Sequence, residues 1–221
     1  MTFYAGTILV AHGYPILLDV RHRKALIVGG GRVAARKASG LLEAGASDVT
    51  VVAPQFVAMF PSTVIKLKQA YDEKLLDGVM IVFAATNRSE VNDRIVHDAK
   101  ARGILVSRAD VDDESPGDFV TPAKYQDQSV LVTVSAASAA LAASIRDALR
   151  RRWDPRWTKM ATAMQTLRPW VREHPNLSAE QRATIFRLLA QDEAMDILEA
   201  QDINGLREWI VARHPELKPP G

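Results

Sequence analysis

The chain of 221 residues has room for one ordinary domain with an appendage or for two small domains, and 48% apolar with 24% charged residues is the composition of a soluble globular protein. It has no cysteine, which excludes disulfides, thiolate metal sites and cysteine nucleophiles, and a formal net charge of +2 is too small to argue for nucleic acid. No apolar run reaches membrane-spanning length and residues 1–14 lack a cleavable leader pattern, so no membrane partner is expected and the cytoplasm is the expected compartment.

Residues 14–20, Tyr14 to Val20, read as an edge strand or as a lead-in packed beside the first strand. His12 and His22 have no spaced partner, and no metal site is expected. Lys24 to Val28 is a short apolar run that opens into Gly29-Gly30-Gly31-Arg32-Val33-Ala34, followed by a helical segment to Gly45 and a β-branched run at Val49 to Val52. That order is a βαβ unit. Gly29, Gly31 and Ala34 occupy the small positions of G-x-G-x-x-[GA] at the strand-to-helix junction: one Gly for the tight turn, the next for approach of a pyrophosphate, Ala34 for close helix packing. The helix start would hold the phosphate charge with free N–H groups. Ala34, Ala38, Leu41, Leu42 and Gly45 form one stripe, with Gly45 as its stop. The second strand ends Ala53-Pro54-Gln55, without the acid that would take a ribose 2′-hydroxyl, so this motif leaves NAD and NADP both open.

Val64 to Lys68 reads as a short strand, Asp72 to Leu76 as helical, and Met80 to Ala85 as a buried parallel strand. Ser89 is placed to cap a helix that turns Val91, Ile95, Val96 and Ala99 inward, before a strand at Ile104 to Val106. The alternation predicts an α/β, Rossmann-like doubly wound parallel sheet. Ligands bind beyond the carboxyl ends of such strands, which singles out Gly29, Gly30, Gly31, Arg32 and Val33, then Ala53 and Pro54, then Ala85 and Thr86, and the loop from Ser107. Thr86 serves equally well as a turn former.

That last loop carries five acids in nine positions, Asp110, Asp112, Asp113, Glu114 and Asp118. Asp110, nearest the strand end, is the candidate to accept a proton from a substrate that loses a hydride; Asp112 is its rival, and a turn or cap role is the alternative for either. Val130 to Val134 reads as a strand, followed by the small-residue run Ser135 to Ala140 and a helix through Leu149. Arg146, Arg150, Arg151, Arg152, Arg156 and Lys159 crowd together, as an anion-attracting patch or a solvated helix face. The remainder reads as helices: Trp157 to Val171 interrupted near Pro169, Ser178 to Glu199 opened by a Ser178/Gln181 capping box, and Asp202 to Arg213. Ile185, Leu188, Leu189, Met195, Ile197 and Leu198 suit packing onto the first domain or a twin subunit, and the four tryptophans suit burial.

These blocks, from Tyr14 to Arg152, resemble the precorrin-2 dehydrogenases, including the amino-terminal module of siroheme synthases. The resemblance rests on Tyr14-Pro15, the Gly29 to Lys37 string, Leu42 to Ala46, Val51 to Pro54, Ala84 to Thr86 with Asn92, Ala109-Asp110, Phe119 with Pro122-Ala123, and Val134-Ser135 with Leu141-Ala142 and Ile145-Arg146. It implies NAD-dependent oxidation of precorrin-2 to sirohydrochlorin in a homodimer, with Asp110 required for catalysis; some members also insert ferrous iron. It divides the chain into an NAD-binding region 1–112, a dimerisation and substrate region 113–152 and a helical region 153–221. Arg108 and Lys124, with the basic cluster, would suit a polycarboxylate tetrapyrrole. Two departures stand out: Ser135 to Ala140 lacks the family's glycines and proline, and Asp110 to Phe119 is about two residues longer than the common spacing, so that Asp112 could take the catalytic place. A ferrochelatase and a non-catalytic NAD-binding dimer are the competing readings.

Overall fold

The computed structural model describes residues 13–110 and 117–217. The chain separates into two compact units, residues 1–121 and 122–221.

In the first unit five parallel strands, β1 (Lys24–Val28), β2 (Asp48–Val52), β3 (Ile65–Leu67), β4 (Val79–Ala84) and β5 (Leu105–Arg108), lie in the order β3-β2-β1-β4-β5. The two-residue period of a strand sorts their side chains. Ala25, Ile27, Val49, Val51, Ile81 and Phe83 face α1 (Arg32–Glu43), with Ala34, Ala35, Ala38 and Leu41. Leu26, Val28, Val52, Val82, Ala84 and Val106 face α2 (Ser89–Ala101), with Ile95, Val96 and Ala99. Burial on both faces is why these strands read as continuous apolar runs rather than alternating ones. Gly45 ends α1 at φ +88°, a conformation that costs glycine nothing.

Two expectations for this unit are corrected. Residues 14–19 form no strand: Val20 is buried with the α1-side core, whereas Tyr14, Ile16 and Leu17 are exposed. Ser89 does not cap α2; Arg88 holds the cap position with no side-chain cap bond, and the Ser89 hydroxyl instead accepts from Arg108 Nη2 at 2.8 Å.

In the second unit β6 (Ala123–Asp127) and β7 (Val130–Val134) form an antiparallel hairpin packed with α3 (Ala139–Arg151). A helical bundle of α4 (Pro155–Glu173), α5 (Ala179–Leu189) and α6 (Asp192–Arg213) follows. Helix α4 runs unbroken through Pro169, correcting the expected interruption. The ring removes one backbone bond, but Leu167 and Val171 on either side of it are both fully buried and hold the helix in place. The expected helix from Ser178 to Glu199 is two helices, because the chain turns at Ala190 and Gln191; α6 kinks at Asp202, whose φ of 63° is stabilised by its carboxylate accepting from Asn204 N–H at 2.6 Å. The Ser178/Gln181 capping box is present. Ile185, Leu189 and Met195 pack with Met160, Ala163, Leu167 and Val171 of α4, and Ile197 and Leu198 pack against them partly buried, so most of this apolar set builds a core within its own unit.

Candidate functional site

The carboxyl ends of β2, β1, β4 and β5 are neighbours, and backbone hydrogen bonds continue past them. Gly29 N–H donates to Val52 O (2.9 Å), Ala85 N–H to Val28 O (2.8 Å) and Ala109 N–H to Ala84 O (2.9 Å). The chain runs β1 to β3 on one side and then crosses to β4, so the strand order switches between β1 and β4, the place where open α/β sheets leave a crevice.

The three glycines differ in what surrounds them. A Cβ on Gly29, at φ +138°, would lie 2.2 Å from Ala85 O, and one on Gly30 would lie 1.8 Å from Gln55 O. Both positions are closed by neighbouring backbone. A Cβ on Gly31 would meet no atom within 4 Å. Gly31 caps α1 without a side chain, the first turn of the helix holds no acid, and the first intrahelical bond runs from Ala35 N–H to Gly31 O (3.0 Å). The N–H groups of Arg32 and Val33, on exposed residues, precede that bond, so the positive end of the helix dipole stands open beside an unobstructed backbone. These residues fit a dinucleotide pyrophosphate. Ala53 is buried at the β2 end, its N–H on Leu67 O (3.1 Å), and Pro54 is exposed.

The polar atoms of Thr86 are engaged with Asn92, which is fully buried on the first turn of α2. Thr86 N–H and hydroxyl donate to Asn92 Oδ1 at 3.2 and 2.7 Å, and Asn92 Nδ2 donates back to Thr86 O at 3.2 Å. Asp110 stands two residues beyond β5. Arg108 grips its carboxylate with a fork, Nε to Oδ1 at 2.9 Å and Nη2 to Oδ2 at 3.1 Å, and also pairs with Asp93. The Arg108 side chain is only 2% exposed. Partial burial works against the Asp110 charge, but hydrogen bonds from Arg108 and Asn92 and from its own backbone outweigh it and hold the carboxyl below the usual range. Asp110 is therefore an anion at neutral pH. Asp112 lies outside the described residues.

Arg108 is thus committed inside the unit, correcting its expected role as a substrate-facing cation. The basic cluster of the second unit is likewise divided: Arg156 pairs with Asp154 and Asp196, Lys159 with Glu199, and Arg146 with Asp147, while Arg150 lies over the Tyr125 ring. Trp153 donates to Thr158 Oγ1 (3.1 Å) and packs edge-on to Tyr125, whereas Trp157 is 44% exposed.

Residues 16–123 match the family described as "Putative NAD(P)-binding". The chain is 36% identical over 177 residues to a siroheme synthase of Chromobacterium violaceum, covering 76% of this chain and 37% of the relative. It is 31% identical over 207 residues to a siroheme synthase of Methylobacillus flagellatus, covering 90% and 42%. Its fold is like that of a solved structure described as "SirC, precorrin-2 dehydrogenase", with a TM-score of 0.70 and 24% identity over 90% of this chain and 100% of that one. In sequence the chain is thus similar to siroheme synthases, and in fold to a precorrin-2 dehydrogenase. It spans about two fifths of the length of the curated siroheme synthases it matches.

A nicotinamide dinucleotide is accordingly the cofactor class of the first unit. One departure from the pattern of the resembling family can be followed in the structure. Across 135–140 no residue takes a positive φ, and Ser138 caps α3 by accepting from Leu141 N–H at 3.2 Å, so this version of the loop has no conformational need of glycine. Between Asp110 and Phe119, residues 111–116 lie outside the described residues, and Phe119 packs edge-on to Phe83 at 5.5 Å. Among the described residues no helix is long and apolar enough to cross a membrane, and no group of three or more His, Cys, Asp or Glu is placed to hold a metal ion.

Proposed function

We propose that the chain oxidises precorrin-2 to sirohydrochlorin with NAD. One observation carries the reading: an ionised carboxylate, Asp110, stands beyond β5 at the same end of the sheet as the open Gly31 turn. The relatives' names, siroheme synthase and precorrin-2 dehydrogenase, point to the same chemistry. When bound, the nicotinamide ring accepts a hydride. The protein's own part begins with the N–H groups at the start of α1, which take the pyrophosphate charge beside Gly31. Gly29 and Gly30 let the neighbouring loops at Ala85 and Gln55 close against the turn, and Arg32, Val33, Ala53, Pro54, Ala85 and Thr86 border it. Asp110 takes the proton that precorrin-2 releases as the hydride departs. A carboxylate has about four lone-pair sites, so the Arg108 fork leaves it able to accept another hydrogen bond.

The test is an anaerobic assay of wild type and Asp110→Ala with precorrin-2 and NAD or NADP, following sirohydrochlorin absorbance. We expect turnover with NAD, and a loss of about 10²-fold or more on substitution with NAD affinity retained. Turnover that survives the substitution moves the role away from Asp110, and faster turnover with NADP reverses the cofactor choice. Conversion of sirohydrochlorin by ferrous iron above the uncatalysed rate adds the second activity.

The working form is a homodimer built through α3. Leu141, Ile145 and Leu149 recur every fourth residue on one face of this helix and are 50%, 39% and 44% exposed, and only Ala142 of α3 is buried. Ile145→Asp shifts the sedimentation coefficient from dimer to monomer at unchanged helix content. A monomeric wild type refutes this assembly.

A further inference from the structure

Catalysis by a carboxylate needs more than its presence, since a misplacement of about 1 Å can cost two orders of magnitude in rate. Asp110 follows a strand end and precedes a loop rich in acids, so its orientation must come from elsewhere. Two buried polar side chains supply it. Asn92 is fully buried at the start of α2: its amide exchanges three hydrogen bonds with Thr86, beyond β4, and favours the charged form of the Asp110 carboxyl, beyond β5. Arg108, the last residue of β5, has a side chain 2% exposed that holds both oxygens of Asp110 while α2 fixes the guanidinium through Asp93 and the Ser89 hydroxyl. Each carboxylate oxygen is thereby tied through Arg108 to the sheet and to α2.

Resting on the dehydrogenase reading, we infer that Asn92 and Arg108 are positioning residues for precorrin-2 oxidation: they fix the Asp110 carboxylate as an oriented anion in register with the Thr86 loop. Among the described residues, the charged and polar groups that act on Asp110 are Arg108 from β5 and Asn92 from α2, with Asp93 and Ser89 of α2 behind the guanidinium. Because the fork and the amide hold the carboxyl below its ordinary range, wild-type turnover keeps its full rate through the weakly acidic region. Loss of either partner raises the proton affinity of Asp110 and carries the acid limb of the pH–rate profile upward with it. A merely structural role would lower the rate equally at every pH.

The experiment compares wild type, Asn92→Ala, Arg108→Met and Arg108→Lys in the full chain. The carboxyl carbon of Asp110, assigned by its disappearance in Asp110→Asn, is titrated by carbon NMR, and kcat with precorrin-2 and NAD is measured against pH. Melting curves establish that each variant is folded. We expect Arg108→Met to raise both the NMR midpoint and the acid limb by about one pH unit or more. Arg108→Lys, which keeps the charge and loses the fork, falls between it and wild type. Asn92→Ala lowers kcat about tenfold, in part recovered toward high pH. An Asp110 midpoint identical in wild type and folded Arg108→Met overturns the inference whatever the turnover, as does a moved midpoint with an unmoved pH–rate profile. A wild type in which the carboxyl is held low but no sirohydrochlorin forms refutes the dehydrogenase reading itself, and with it any orienting role in that reaction.

Discussion

The sheet of the first unit and the hairpin layer of the second are built from similar lengths of strand and fare very differently. β1, β2 and β4 are buried on both faces, each face against its own helix. β6 and β7 alternate half-buried and exposed residues, with α3 packed on them and Leu131 40% exposed. A doubly covered sheet gains enough from apolar burial to hold backbone in close, otherwise unfavourable approaches, such as those at Gly29 and Gly30. A two-stranded hairpin is marginal by itself and needs packing partners. The candidate site therefore stands at the ends of the buried strands, while the hairpin layer's helix keeps Leu141, Ile145 and Leu149 exposed.

The glycine turn is where that contrast breaks most sharply. Gly30→Val places a side chain on Gln55 O, where a Cβ already comes to 1.8 Å, and Ala53 Cβ is 2.9 Å away; neither can retreat without disturbing the β2 end. We expect loss of cooperative unfolding in the first unit and of NAD binding together. Gly31→Ala meets no atom and leaves the melting temperature near that of wild type while weakening NAD binding. If both variants melt alike, the closed and open positions are misassigned. Next in size is Leu206→Ala, in the fully buried core of α4 to α6, expected to cost about 2–5 kcal/mol in a denaturant titration. A cost below about 1 kcal/mol would mean that this bundle lacks the close packing of a folded core.

Much of the first unit was legible because a short apolar run, a glycine turn and a 3.6-residue stripe are local signals, and burial on both faces amplifies them. Gly29, Gly31, Ala34 and Asp110 could be singled out as candidates for that reason. Asn92 and Arg108 could be noticed, but not the hydrogen bonds they make. Arg108 looks in sequence like a cation awaiting an acidic ligand, and only folding brings Asp93 of α2 and Asp110 to its guanidinium. Asn92 lies six residues from Thr86, and the turn between them decides that they meet. β6 escaped notice although Lys124 to Asp127 is followed by a two-residue turn and a β-branched run, a hairpin signal weakened because Gln128 takes a positive φ of 48° without being Gly or Asn. The break at Ala190 and Gln191 has no Gly or Pro to mark it.

The last effect concerns a lysine against the buried sheet. Lys37 of α1 donates to Thr121 Oγ1 and lies over the Phe83 ring at 5.6 Å, beside the Phe83–Phe119 pair. Burial, helped by Arg36 on the same helix, lowers its ammonium to about 8 from an ordinary value of 10.5. The unfolded chain therefore binds more protons than the folded one between those two values, and in that window stability rises with pH. Lys37→Met removes the term: the variant should be the more stable near pH 7, and the difference should shrink as pH climbs toward 10.5, where both Lys37 states of the wild type lose their proton. The measurement is the melting temperature of the two proteins across that range, read as a difference so that other titrating groups cancel. A difference independent of pH would mean that Lys37 reaches water freely. The hydroxyl of Thr121 and the faces of two phenylalanines would then be incidental neighbours, and α1 would hold the segment after β5 by apolar packing alone.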